Sequence, residues 1–129
     1  MTNSWVVPAL KIEPPTNPNA LTDLVPLLAR LTAAFEATQI ADLLDVNDEM
    51  LEPWLARRQQ IPYDIAKRVM ALHEVMTRAL QIHNARTAVD WLVGNDPFLN
   101  HARPIDVLVL RGSAPLIEAL EAFDSGGFA

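Results

Sequence analysis

Residues 84–129 read NARTAVDWLVGNDPFLNHARPIDVLVLRGSAPLIEALEAFDSGGFA, and this stretch decides the fold. Ala85 to Val93 has helical spacing and stops at Gly94, a residue favoured just past a helix end. Trp91 lies one turn from Ala88 and beside Leu92, which places it with the core. Asp96-Pro97 then offers a capping carboxylate followed by a first helical residue whose φ is already set, so a short helix is expected there. Ile105 to Leu110 suits either a short helix or an extended piece, and periodicity does not separate the two. Leu116 to Phe123 gives a last helix, with Ser113 as its cap, Pro115 in its first turn and Gly126 beyond its end.

Working outward from this stretch, helical spacing continues. Ile65, Val69, Leu72, Val75, Met76, Leu80 and Ile82 mark one long amphipathic helix after Pro62. Ala37 to Leu55 reads as two short helices around a sharp turn at Asp45-Val46-Asn47. Leu21, Leu24, Val25, Leu28, Leu31 and Phe35 give an earlier helix, capped by Thr22 or Asp23 and with Pro26 in its first turn. Pro8, Pro14, Pro15 and Pro18 block helix in residues 1–19, which are expected to form an extended arm. The fold class is therefore all-α, a small helical bundle of three segments: the arm at 1–19, a region at 20–83 and a C-terminal region at 84–129.

Composition narrows the function. A chain of 129 residues, half of them hydrophobic, suits one compact unit or two small ones. It has no cysteine, which excludes disulfide and thiol chemistry and fits a reducing cytosol. The start Met1-Thr2-Asn3-Ser4-Trp5 lacks the basic end and apolar run of a secretory signal, and no stretch reaches the roughly 18 apolar residues of a membrane helix. A soluble, cytoplasmic protein without membrane contact is expected. The net charge of −6 argues against a generic nucleic-acid binder, but the charge is unevenly spread. Residues 1–53 carry two basic and eight acidic side chains, residues 54–88 six and two, and residues 89–129 two and six. The middle band could face phosphates and the acidic ends a cationic protein partner; the plainer alternative is a set of solvated helix faces.

No catalytic, cofactor-binding or metal-binding pattern emerges. His73, His83 and His101 have no ligand partners at metal spacing, and they read as surface or boundary residues. Gly112-Ser113 is only a fragment of a nucleophile elbow, and Gly126-Gly127 is not a phosphate cradle because no helix follows it. Glu118 and Glu121 read as solvation of an outer helical face. The chain is not expected to be an enzyme, so its function falls to surfaces that bind.

Two resemblances give those surfaces an expected role. Ile40, Leu44, Val46, Leu51 and Trp54 as apolar positions, Ala41 at a close crossing and Asp45 at the turn resemble a helix-turn-helix of the kind found in Xre and lambda-type repressors. The positions that would meet the major groove fall on Asn47, Asp48, Glu49, Glu52 and Pro53, a set that phosphates repel. Asn47, Arg57, Arg58, Lys67 and Arg68 are the candidate DNA contacts, the four cations as phosphate holders without sequence readout. In the C-terminal region, Trp91, Asn95 with Pro97, Leu99, Arg103-Pro104-Ile105-Asp106, the helix Leu116 to Phe123 and the end Gly126 to Ala129 follow in order. That order is similar to the toxin-binding domain of the Xre/MbcA/ParS-type antitoxin family, and the resemblance extends from about Leu21 to Ala129.

The resemblance implies an antitoxin of a type II toxin–antitoxin system. Its partner would be a RES-domain, NAD-consuming toxin inhibited by occlusion of its active site. It implies homo-oligomers, hetero-oligomers with the toxin and repression of its own operon through operator DNA. The alternative is a helix-turn-helix transcription regulator without a toxin partner. Toxin contact is assigned to Arg103 and Asp106 and to the tip Ser125, Gly126, Gly127, Phe128 and Ala129. On the residues alone, Arg103-Asp106 reads equally as a structural corner and the tip as an ordinary chain end.

Overall fold

The structure, a computed structural model, describes residues 24–126. The expected arm at 1–19, the caps Thr22 and Asp23, and Gly127, Phe128 and Ala129 lie outside the described residues. The described residues form seven α-helices and two 3-10 turns, with one isolated bridge between Asp96 and Ala102 and no strand. The all-α expectation holds. The chain divides into two compact units, one ending at Val69 and the other starting at Met70.

In the first unit, α1 (Val25–Ala34) carries Pro26 in its first turn and buries Leu28 and Leu31. Helix α2 (Ala37–Leu44) starts with a reciprocal box in which Glu36 and Gln39 serve each other's backbone N–H groups. It ends where Asp45 enters the left-handed region, at φ 58° and ψ 48°. That is the turn expected from an aspartate in place of glycine. A 3-10 turn (Asp48–Met50) then leads into α3 (Leu51–Leu55), and α1 packs on both α2 and α3. Ile40, Ala41, Leu44, Leu51 and Trp54 are all buried, while Val46 is half-buried. Pro53 falls within the first turn of α3, where its missing N–H leaves no gap in the helix ladder.

Helix α4 (Tyr63–Ile82) is the long amphipathic helix read from the sequence. In the second unit its Leu72, Val75, Met76 and Ala79 are fully buried. His73 is buried as well, which corrects its reading as a surface or boundary residue. It sits between Leu72 and Val75 on the packed side, so helical phase carries it inward with them. Helix α5 (Ala85–Val93) is capped by the Asn84 side chain, which accepts from the Thr87 N–H at 2.8 Å, and it stops at Gly94. A 3-10 turn follows (Pro97–Leu99), and Asp96 caps it as expected.

The undecided piece is a helix, α6 (Pro104–Arg111). Pro104 opens it, buried Ile105 and Leu108 define its inner face, and Gly112 ends it with φ 83°. Helix α7 (Ala114–Asp124) buries Leu116, Ala119 and Leu120. Helix α6 packs on both α5 and α7, and the turn at Pro97–Leu99 packs on α7. Each fully buried leucine of this kind contributes about 1.5–3 kcal/mol from removal of apolar surface from water.

Candidate partner-binding surface

Of the residues assigned to partner contact, Arg103, Asp106, Ser125 and Gly126 are described in the second unit, and their positions follow from local chemistry. Asp96 organises the corner between α5 and α6. Its carboxylate accepts from the Trp91 indole Nε1–H at 2.7 Å through one oxygen and from the Phe98 N–H at 2.8 Å through the other. Its backbone N–H donates to the Ala102 carbonyl at 3.1 Å, and its own carbonyl accepts from His101 N–H at 2.9 Å. The Asn95 side-chain amide donates to the His101 carbonyl. These bonds hold Asn100 and His101 at φ 58° and 64°, two consecutive left-handed residues that lack glycine's freedom. Trp91 is half-buried because one edge of its ring must reach that carboxylate.

Arg103 follows the corner in extended conformation, as a residue before proline should be. Its Nε and Nη2 donate to the two Asp106 carboxylate oxygens, each at 2.9 Å. The two residues therefore form a bidentate pair. The Arg103 guanidinium holds the Asp106 carboxyl below its ordinary value, chiefly through the hydrogen bonds, and the Arg103 pKa rises in turn. Both side chains remain about half exposed. The pair is preformed and open to a partner.

The end of α7 carries the described part of the tip. Ser125 N–H donates to the Glu121 carbonyl at 3.0 Å and Gly126 N–H to the Phe123 carbonyl at 3.1 Å. Ser125 Oγ also donates to the Ala122 carbonyl, and Gly126 has φ 79°. The Phe123 ring lies tilted against His83, with centroids 4.8 Å apart. Glu121 does more than solvate a face, since Arg78 on α4 donates to it and to Asp124. Sequence reasoning missed Arg78. Its partners stand 43 and 46 residues away, beyond the reach of any helical-spacing argument. Ser113 stands at the N-cap of α7 but does not cap it, contrary to expectation. Its backbone is helical rather than extended, and its Oγ donates to Glu74 at 2.6 Å.

The candidate DNA contacts belong to the first unit, and several already have internal roles. Asn47 accepts from the Glu49 N–H at 3.0 Å, which is the work of a cap. Arg58 forms a two-pronged pair with Glu52, one of whose bonds measures 2.9 Å, and this pair holds the Glu52 carboxyl below its usual range. Arg68 Nη1 donates to the Leu44 carbonyl at 3.0 Å, where it meets an orphan acceptor at the end of α2. Lys67 lies over the Tyr63 ring at 5.6 Å. Arg57 occupies a left-handed turn after α3, at φ 61°. Among the described residues no cluster of histidine and carboxylate groups could hold a metal, and no helix is long and apolar enough to cross a membrane.

With that geometry in place, comparison with known proteins is informative at the level of structure. No protein-family model matches the chain, and no curated protein sequence matches it. A solved structure does. A chain in the crystal structure of the M. tuberculosis MbcT-MbcA toxin-antitoxin complex superposes with a TM-score of 0.66. The match covers 82% of this chain and 97% of that one, at 18% sequence identity. The two chains share one fold. The resemblance read from the sequence thus holds for the architecture.

Proposed function

We propose that this protein is the antitoxin of a type II toxin–antitoxin pair and acts by binding, without chemistry of its own. The observation that carries this reading is the fold shared with a chain of a toxin–antitoxin complex over nearly the whole of that chain. The partner is a RES-domain toxin that consumes NAD. The second unit grips it through the exposed Arg103–Asp106 pair and through the tip Ser125, Gly126, Gly127, Phe128 and Ala129. A narrow glycine stem followed by an aromatic side chain suits entry into a ligand cleft. The protein works in the cytoplasm, as a homo-oligomer and in hetero-oligomers with the toxin.

Repression of its own operon is the second part of the proposal. Operator contact rests on phosphate holding by Arg57, Arg58, Lys67 and Arg68, with Asn47 at the groove edge, and not on base readout. The acidic groove-facing set and the internal pairing of Arg58 and Arg68 favour the antitoxin over a regulator that has no toxin. The test is co-expression with a RES-domain toxin taken from beside this reading frame. Restored growth and cellular NAD, with both chains co-purifying, supports the reading. Failure to rescue or to co-purify with such a toxin sends the assignment to the regulator.

A further inference from the structure

We propose that Arg78 is the positioning residue for Ser125 and Gly126, the described start of the tip, because its guanidinium holds the last turn of α7 on which both residues hang. This rests on the antitoxin reading above. Every nitrogen of the guanidinium is engaged. Nε donates to Glu121 at 3.1 Å, Nη2 to the other Glu121 oxygen at 2.8 Å and to Asp124 at 2.9 Å, and Nη1 to Gln81 at 3.1 Å.

The need for such a group is electrostatic. The final turn of α7 contains two carboxylates and no basic residue, at the end of a helix that already carries partial negative charge. Left alone, Glu121 and Asp124 repel each other and that end, and the turn frays. Arg78 supplies the missing cation from another helix. Its own base is firm, since neighbouring Ala79 and Val75 are fully buried, and its side chain is only 23% exposed. The Glu121 carboxyl is held below its ordinary value, first by the hydrogen bonds from Arg78, while the Arg78 pKa rises.

The geometry beyond the clamp gives it a consequence. The Ser125 and Gly126 N–H groups hang on the carbonyls of Glu121 and Phe123, inside the turn that Arg78 fixes. Phe123 is steadied on its other side by His83. Helix ends ordinarily fray. A tip that must enter a cleft binds more tightly when its stem is ordered beforehand, since less freedom is lost on binding.

The experiment compares the full chain with Arg78→Gln, Arg78→Lys, Leu116→Ala and a chain ending at Asp124. Each is measured for affinity to a RES-domain toxin, for melting midpoint and for amide exchange. Arg78→Gln is expected to weaken affinity at least tenfold and to speed exchange at Ser125 and Gly126, with Leu72 to Ala79 unchanged. Arg78→Lys, which keeps the charge but not the fork, falls between. Leu116→Ala lowers the melting midpoint but keeps the affinity of the folded protein, which separates positioning from general stability. Wild-type affinity for Arg78→Gln, with the shortened chain inactive, overturns the positioning role and leaves the tip reading standing. Full affinity in the shortened chain overturns both. A Leu116→Ala loss matching that of Arg78→Gln reduces the clamp to a stability element.

Discussion

Asp96 carries more of the second unit's local order than any other described residue in its loop. One carboxylate serves an indole N–H and a backbone N–H, while the Asp96 backbone serves both sides of the corner. Replacing it with alanine strands the Trp91 donor in a half-buried site, and such a loss costs about 1–3 kcal/mol. Urea unfolding of Asp96→Ala is therefore expected to shift by that amount, and an unchanged midpoint would remove Asp96 from this role. Charge pairing makes a second prediction. Glu52, Asp106 and Glu121 all have their carboxyls lowered by arginine partners. A depressed folded value means stability that is present above the ordinary carboxylate range, near pH 4, and lost as pH falls through the folded value. Melting midpoints should fall as the medium is acidified below that range. The fall should be shallower in Arg103→Gln, because Asp106 then titrates as it does in the unfolded chain. These are exposed pairs, so each contribution is small.

At the scale of elements, the ends of helices are set by single residues whose backbone conformation is specified. Gly112 closes α6 at φ 83° and ψ −165°, a region that essentially only glycine adopts. A methyl group there would touch nothing within 4 Å, so its cost is purely conformational. Gly112→Ala is predicted to destabilise by about 1–3 kcal/mol in thermal unfolding; a neutral result would mean that the turn relaxes. Much of this level was legible in the sequence. Asp45, Pro26, Gly94 and the Asp96-Pro97 pair act through neighbours within a turn or two, and spacing alone finds such contacts. Ile105 to Leu110 was not decidable, since its helix depends on Pro104 at its start and on burial against α5 and α7. Ser113 misled for the same reason: a partner on α4 outcompetes the local cap. Arg78 was invisible because its carboxylates come from a distant helix. The burial of His73 required knowing which face of α4 is covered.

For the whole molecule, the net charge of −6 disfavours generic binding to nucleic acid. The DNA half of the proposal has its own test. Charge reversal at Arg57, Arg58 and Lys67 should weaken operator binding and flatten its dependence on salt, since fewer counterions are then released. If wild-type protein binds no operator fragment, autorepression is discarded and the antitoxin reading remains. The central claim is occlusion of an enzyme's active site, and it is tested most directly with purified components. A RES-domain toxin consuming NAD is titrated with the full chain and with a chain ending at Asp124. The account predicts that the full chain stops NAD consumption at a fixed molar ratio while the shortened chain leaves it running. Unchanged NAD consumption at saturating full-length protein would contradict it.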